Sequence, residues 1–282
     1  MSGPDRTCHD RQVPTIARRL SAVLLAGILL VALAGSASAS LVPYSEATLV
    51  KAGLDQVRLT NLQRTSHGLV ALRIDPGVMA VARDRAKIMA ANDDLDHQEP
   101  GGGNAFDRLS TAGIAHYAAG EIIAWNTYDS EADSVSAVIK AWMKSPGHHD
   151  IMMSTNYNYV GFGAAVAASG KRYYAGVFIK GPDHTGAYVK LGAVTRTIVT
   201  ASRTRVRLSW TGADTKLQVL TSGLRNYEVQ RRYGSGPWVS WGTRTTTHLS
   251  VTWARHRTYQ IRVRASDKVG NWGSWRTVTI RL

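Results

Sequence analysis

The stretch that most constrains the fold is an amphipathic helix with a sharp end. Val135, Val138, Ile139, Trp142 and Met143 recur at i, i+3, i+4, i+7 and i+8 between Ser134 and Lys144, and Pro146 forbids the same helix to continue. Such a stripe has to be buried against another layer. Two runs just downstream, Tyr159 to Val166 and Tyr173 to Lys180, read as strands joined by a turn at Ser169-Gly170. Helices packed outside a small antiparallel sheet follow, an α+β, three-layer arrangement. Ser145-Pro146-Gly147 also sets His148 and His149 on a stiff corner, where imidazoles can titrate or bind a ligand.

Upstream, Val50, Leu54, Val57 and Asn61 repeat at helical spacing up to the break at Gly68, and Asn61 reads as a hydrogen-bonded structural amide. Asp75-Pro76 opens a second helix with an N-cap and a proline in the first turn. Met79, Ala82, Ala86 and Met89 line its core face. The chain then runs through Asn92-Asp93-Asp94-Leu95-Asp96-His97 into the flexible Gly101-Gly102-Gly103, so His97 can face a cleft or simply solvent. After a short helix around Phe106 to Leu109, Gly120 to Trp125 reads as a buried strand that carries Glu121. A carboxylate there is costly unless paired, which marks Glu121 as a perturbed group.

Charge and cysteine usage divide the chain. Arg11, Arg18 and Arg19 precede an apolar run of 14 residues from Leu20 to Leu33, followed by Ala37-Ser38-Ala39, the pattern of a signal peptide over 1–39. A retained anchor is the alternative, but spanning needs about 20 apolar residues. Secretion is the expectation, with no transmembrane segment after processing. The one cysteine, Cys8, falls inside that leader, so the mature chain has no disulfide, no thiolate ligand and no cysteine nucleophile. Of the net charge of +14, residues 40–200 carry none, with 15 basic and 15 acidic side chains, whereas residues 201–282 carry 15 basic and 3 acidic. Such an excess favours anionic polymers as partners of the C-terminal part, although it also serves solubility alone.

Residues 185–202 read as a linker into a second domain over 203–282, where alternation dominates: Val206, Leu208, Trp210; Tyr227, Val229, Arg231; Tyr259, Ile261, Val263, Ala265. Six of the eight tryptophans lie beyond residue 200, and a small β-sandwich can fill its core with them. The segment from Tyr259 to Trp272 resembles the penultimate strand and following turn of a fibronectin type III domain, with Arg262 and Arg264 on the outer face.

Over about Leu49 to Gly181 the resemblance is to the bacterial branch of the CAP superfamily, the SCP-like domains that include cysteine-rich secretory proteins, antigen 5 and pathogenesis-related proteins. It is carried by Asn61 with Arg64 and Gly68-Leu69, by His97, Gly120-Glu121 and the run Trp142 to His148, and by Tyr157 to Gly163 with a closing Phe178, all in the expected order. The resemblance implies an α-β-α sandwich over 40–184 whose cleft holds His97, His148 and Glu121, with Trp142 as a structural residue. It also implies a divalent cation such as zinc on the two imidazoles and the carboxylate, a donor set zinc accepts. Two departures stand out. The position of a second acidic residue falls near Ser145, and Ile122 replaces the asparagine that usually follows the glutamate. Ser145, three residues before His148, reads as turn chemistry rather than a nucleophile, because no orienting third group is visible in the sequence.

Three functions compete on this reading. The first is a secreted binding protein whose cleft holds a small apolar, lipid-like or peptide ligand, held outside the cell, at the wall or matrix, by its basic domain. The second is a metal-assisted hydrolase using His97, His148 and Glu121. The third is a structural surface protein. Secretion speaks against nucleic acid as the anionic polymer.

Overall fold

Ser45 starts the first helix, α1 (Glu46–Ser66), by accepting a hydrogen bond from the Thr48 amide, and the computed structural model describes the chain from this residue to 282. The leader expected over 1–39 lies outside the described residues. The buried face of α1 is Ala52, Gly53, Gln56, Val57, Thr60 and Arg64, turned away from the expected stripe, and Leu54 is 45% exposed. Gly53 explains the rotation. A side chain there would meet the Phe162 carbonyl at 2.7 Å, so the helix approaches the sheet along its smallest residue.

Asp75 caps α2 (Pro76–Asn92) through the Val78 amide, as its sequence predicts. Val78, Met79, Ala82, Ala86 and Met89 are buried. They lie on a four-stranded sheet of β1 (Arg73–Ile74), β2 (Ala118–Asn126), β3 (Tyr159–Val166) and β4 (Arg172–Lys180), in the order β1-β3-β4-β2. The β1 pairing is parallel and the others antiparallel. Gly161 and Gly163 of β3 sit beneath α2, where an added Cβ would come within 2.3 Å of the Met79 amide and the Ala82 carbonyl. Helix α3 (Ala105–Thr111) shares the α2 face, with Ala105 and Leu109 packed among Val78, Tyr159 and Ile179. On the other face α1, α4 (Glu131–Lys144) and α5 (Pro146–Met152) bury Val57, Val138, Ile139, Trp142 and Met152 against Ile122, Phe162 and Phe178. Pro146 does end α4, but it does so by starting α5 in the first helical turn, which tolerates proline. His148 and His149 therefore stand on a short helix rather than on an open turn.

Residues 185–202, expected as a linker, are mostly strand. β5 (Tyr188–Thr200) pairs along its length with β6 (Arg203–Ala213), and β9 (His248–Ala254) flanks β6 on its other side. Its exposed threonines, Arg196 and Ile198 hid it from a reading that looked for alternation. The opposing sheet has the order β11-β10-β7-β8, from β7 (Leu224–Tyr233), β8 (Val239–Arg244), β10 (Thr258–Asp267) and β11 (Arg276–Arg281). Val206, Leu208 and Trp210 from one sheet meet Val229, Ile261, Val263 and Ile280 from the other. Of the late tryptophans, Trp210 and Trp253 belong to this core and Trp241 packs against it; Trp238, Trp272 and Trp275 lie against arginines instead.

The loop from 214 to 223, between β6 and β7, reaches into the helical part. Leu217 is 2% exposed, inside the cluster of Val78, Val81, Tyr159 and Ile179. Beside it the Gln218 side-chain oxygen Oε1 accepts the Val70 amide at 2.8 Å, and the Asn158 side chain donates to the Val219 carbonyl at 3.2 Å. Arg64, fully buried, donates to the carbonyls of Val70, Met152 and Ser154 and to Gln218. Burial without a carboxylate partner pushes its pKa down to about 10. Among the described residues, no helix is long and apolar enough to cross a membrane.

Candidate functional site

The site is organised by a residue on the core stripe of α2. Arg85 falls three positions after Ala82 and is fully buried, so its guanidinium needs partners on every side. Its Nε donates to Glu121 Oε1 at 2.8 Å, one terminal nitrogen to Glu99 Oε1 at 3.2 Å, and the other to the carbonyls of Asp96 and His97 at 2.7 and 3.0 Å. One cation thus fastens the loop after α2 onto β2. Asn61 has the structural part expected of it, exchanging two hydrogen bonds with the backbone of Leu72.

Glu121 is 6% exposed, and its second oxygen lies 2.7 Å from His97 Nδ1. With the carboxylate ionised, Nδ1 is the donor, and Nε2 is left for another partner on a ring that is 38% exposed. Glu99 closes the network by receiving Arg108 of α3 on both oxygens. The Arg108 hydrogen bond holds the Glu99 carboxyl below its usual range, with Arg85 adding to the effect and desolvation opposing it.

His148 occupies a different setting. Its Nδ1 is 2.8 Å from Ser145 Oγ and its ring lies 6.4 Å from that of Trp142. Trp142, 1% exposed, donates its indole N–H to the Ile123 carbonyl and ties α4 to β2. Glu121 points toward α2, whereas α5 covers the other face of β2, where a side chain on Gly120 would strike Tyr157 and Ile151. The structure therefore joins His97 to Glu121 directly, and places His148 on α5 beside Ser145 and Trp142. His97, Glu121 and His148 do not form a three-donor group; among the described residues, the set whose donor atoms lie within 4.8 Å of one another is Asp183, Asp214 and Asp267, near the junction of the two parts.

That placement is a poor fit for zinc. Both Glu121 oxygens are engaged, and the Arg85 guanidinium against the same carboxylate would repel a cation. The sequence reading missed Arg85, Glu99 and Arg108. A signal was present, since an arginine on an otherwise apolar helix stripe requires a buried acid and Glu121 required a buried base.

A cavity of about 280 Å³ lies at Gly186 to Val189 and the Trp272–Arg276 turn. A larger one, about 530 Å³, lies between α2, the Gly101–Gly103 loop and α3, lined by the apolar Ala80, Val81 and Ile114 and by the charged Asp84, Glu99, Asp107 and Arg108. It begins where the Arg108–Glu99 pair ends, and none of His97, Glu121 and His148 lines it.

Comparison with known proteins identifies the helical part. Residues 57–178 match the family model described as CAP: Cysteine-rich secretory protein family, and the chain carries a CAP domain, of the bacterial SCP type, over those residues. Over 113 residues it is 35% identical to the uncharacterized protein YkwD of Bacillus subtilis (strain 168), spanning 40% of this chain and 42% of that one. Over 122 residues it is 31% identical to the uncharacterized membrane protein YlbC of the same organism, spanning 43% and 32%. The chain thus spans less than half the length of these relatives. Among solved structures it is similar to an extracellular protein containing a SCP domain from Bacillus anthracis, with 28% identity and a TM-score of 0.40, over 47% of this chain and 41% of that chain.

Proposed function

We propose that this protein works outside the cell as a binder in two parts. The CAP domain takes up a small ligand or partner peptide. The basic β unit, a fibronectin type III-like sandwich, holds the protein on anionic polymers of the cell surface or matrix. The Arg-rich, then apolar, N-terminal segment supports secretion. Three strands, β5-β6-β9, facing four, β11-β10-β7-β8, support the sandwich type.

The observation that carries binding over hydrolysis is the full engagement of Glu121. With one oxygen on Arg85 and the other on His97, it is tied up as an orienting group. His97 then presents Nε2 to a ligand as its second hydrogen-bonding atom. Native mass spectrometry with metal analysis of the full chain tests this. A bound organic molecule, reduced in His97→Ala, and no stoichiometric metal are expected. One equivalent of a divalent metal, lost in both His97→Ala and His148→Ala, would replace this reading with the metal-assisted hydrolase.

A further inference from the structure

The β unit has two outward faces, and its arginines are engaged on one and free on the other. On the β7–β10 face each arginine meets the side chain directly across the ladder: Arg232 with Gln260, Arg262 with Gln230, Arg264 with Glu228. Indoles fill the gaps. Trp238 lies between the guanidiniums of Arg232 and Arg262, at 4.7 and 4.3 Å, and Trp275 between those of Arg262 and Arg264, at 4.4 and 4.5 Å. Each of these partly buried rings thus has two guanidiniums against it.

On the β5–β6–β9 face the central strand displays Arg203, Arg205 and Arg207 at alternate positions, all exposed, while Thr204, Val206 and Leu208 between them are buried. The register sets Thr197 and Thr252 beside Arg205, and Thr195 and Ser250 beside Arg207. Within the described residues none of the three arginines has a hydrogen-bond or ion-pair partner. The three carboxylates beyond residue 200 lie elsewhere: Asp214 and Asp267 beside Asp183, and Glu228 bound to Arg264.

Alternate residues on a strand are about 7 Å apart. We propose that the β5–β6–β9 face docks a linear, non-aromatic polyanion of the acidic-polysaccharide class with an anionic group about every 7 Å. The arginine row takes the charges, and the flanking threonines and serine take the hydroxyls. This rests on the reading that the β unit holds the protein on anionic polymer. Nucleic acid fits less well, because single strands gain affinity from base stacking. The row is flanked by hydroxyls, and Trp238 and Trp275 lie on the other face, where they are engaged by arginines.

The test measures binding of the full chain to immobilised dextran sulfate, polygalacturonate and oligothymidylate across a salt series. Two triple variants of equal charge change are compared. Arg203→Gln/Arg205→Gln/Arg207→Gln should weaken polysaccharide binding at least about tenfold and flatten its salt dependence. Arg225→Gln/Arg276→Gln/Arg281→Gln, at exposed positions off this face, should weaken it less than about threefold. Equal losses in the two triples would overturn the face while leaving the attachment reading intact. Tighter binding of oligothymidylate than of either polysaccharide would overturn the polymer class. Failure of the unaltered chain to bind any polyanion would remove the attachment reading itself. The altered side chains are exposed, so both triples should fold, and R205E alone gives a second check that should lower polysaccharide binding further than R205Q.

Discussion

Arginine has opposite duties in the two halves of the molecule. In the CAP domain Arg64 and Arg85 are fully buried and act as internal fasteners, one through backbone carbonyls and one through Glu121 and Glu99. In the β unit arginines are stacked against indoles or displayed on β6. The CAP part, residues 40–184, carries 13 basic and 15 acidic side chains while the β part is strongly positive, yet the fully buried arginines, Arg64 and Arg85, sit in the CAP part. Net charge therefore predicts what a region attracts, and burial predicts what holds it together.

Several measurements can break or sharpen that contrast, beginning with the largest expected effect. Arg85→Ala strands Glu121 without its buried partner and should cost about 3–5 kcal/mol in denaturant unfolding; a loss under 1 kcal/mol would mean the network is dispensable. Leu217→Ala opens a hole among Val78, Val81 and Ile179 and should cost about 2–4 kcal/mol. That loss should appear in the unfolding of the CAP domain although the residue lies between two strands of the β unit, and confinement to the β unit would separate the two cores. Trp275→Ala removes two cation–π contacts on a half-buried surface and should cost about 1–2 kcal/mol, without the polyanion loss expected for the β6 triple.

The acid limb gives a subtler test. The Glu99 carboxyl titrates below its ordinary 4.5 in the folded chain, chiefly because of Arg108. Its contribution is present above 4.5 and is lost as pH falls through the folded value. Glu99→Gln should flatten the decline of stability below that pH, and an unchanged acid limb would locate it in other carboxylates. The smallest effect is expected from Arg205→Gln, within about 0.5 kcal/mol of the unaltered protein in stability.

The parts of the molecule that follow a period were legible in the sequence. The α4 stripe, the Asp75 cap, the methionine face of α2 and both strands around Gly170 appear where their residues put them. His97 and Glu121 were legible as a pair of separate oddities, and the fold brings them into contact. What escaped depends on partners distant in the chain. Leu54 looks like core until Gly53 decides which side of α1 can approach β3. β5 looks like linker because its threonine-rich outer half shows no alternation, and only the pairing with β6 orders it. Arg85 looks no different from Arg83 until Glu121 and Glu99 arrive from 36 and 14 residues away.

The reach of Leu217 has a mechanical consequence. A side chain from the β6–β7 loop closes the CAP core, and Gln218 and Val219 bind the backbone at Val70 and the side chain of Asn158 around it. A pull applied to a polymer-bound β unit would therefore be felt inside the CAP domain rather than absorbed by a slack tether. The imidazole of His97 would be carried at a set bearing to the surface on which the molecule stands.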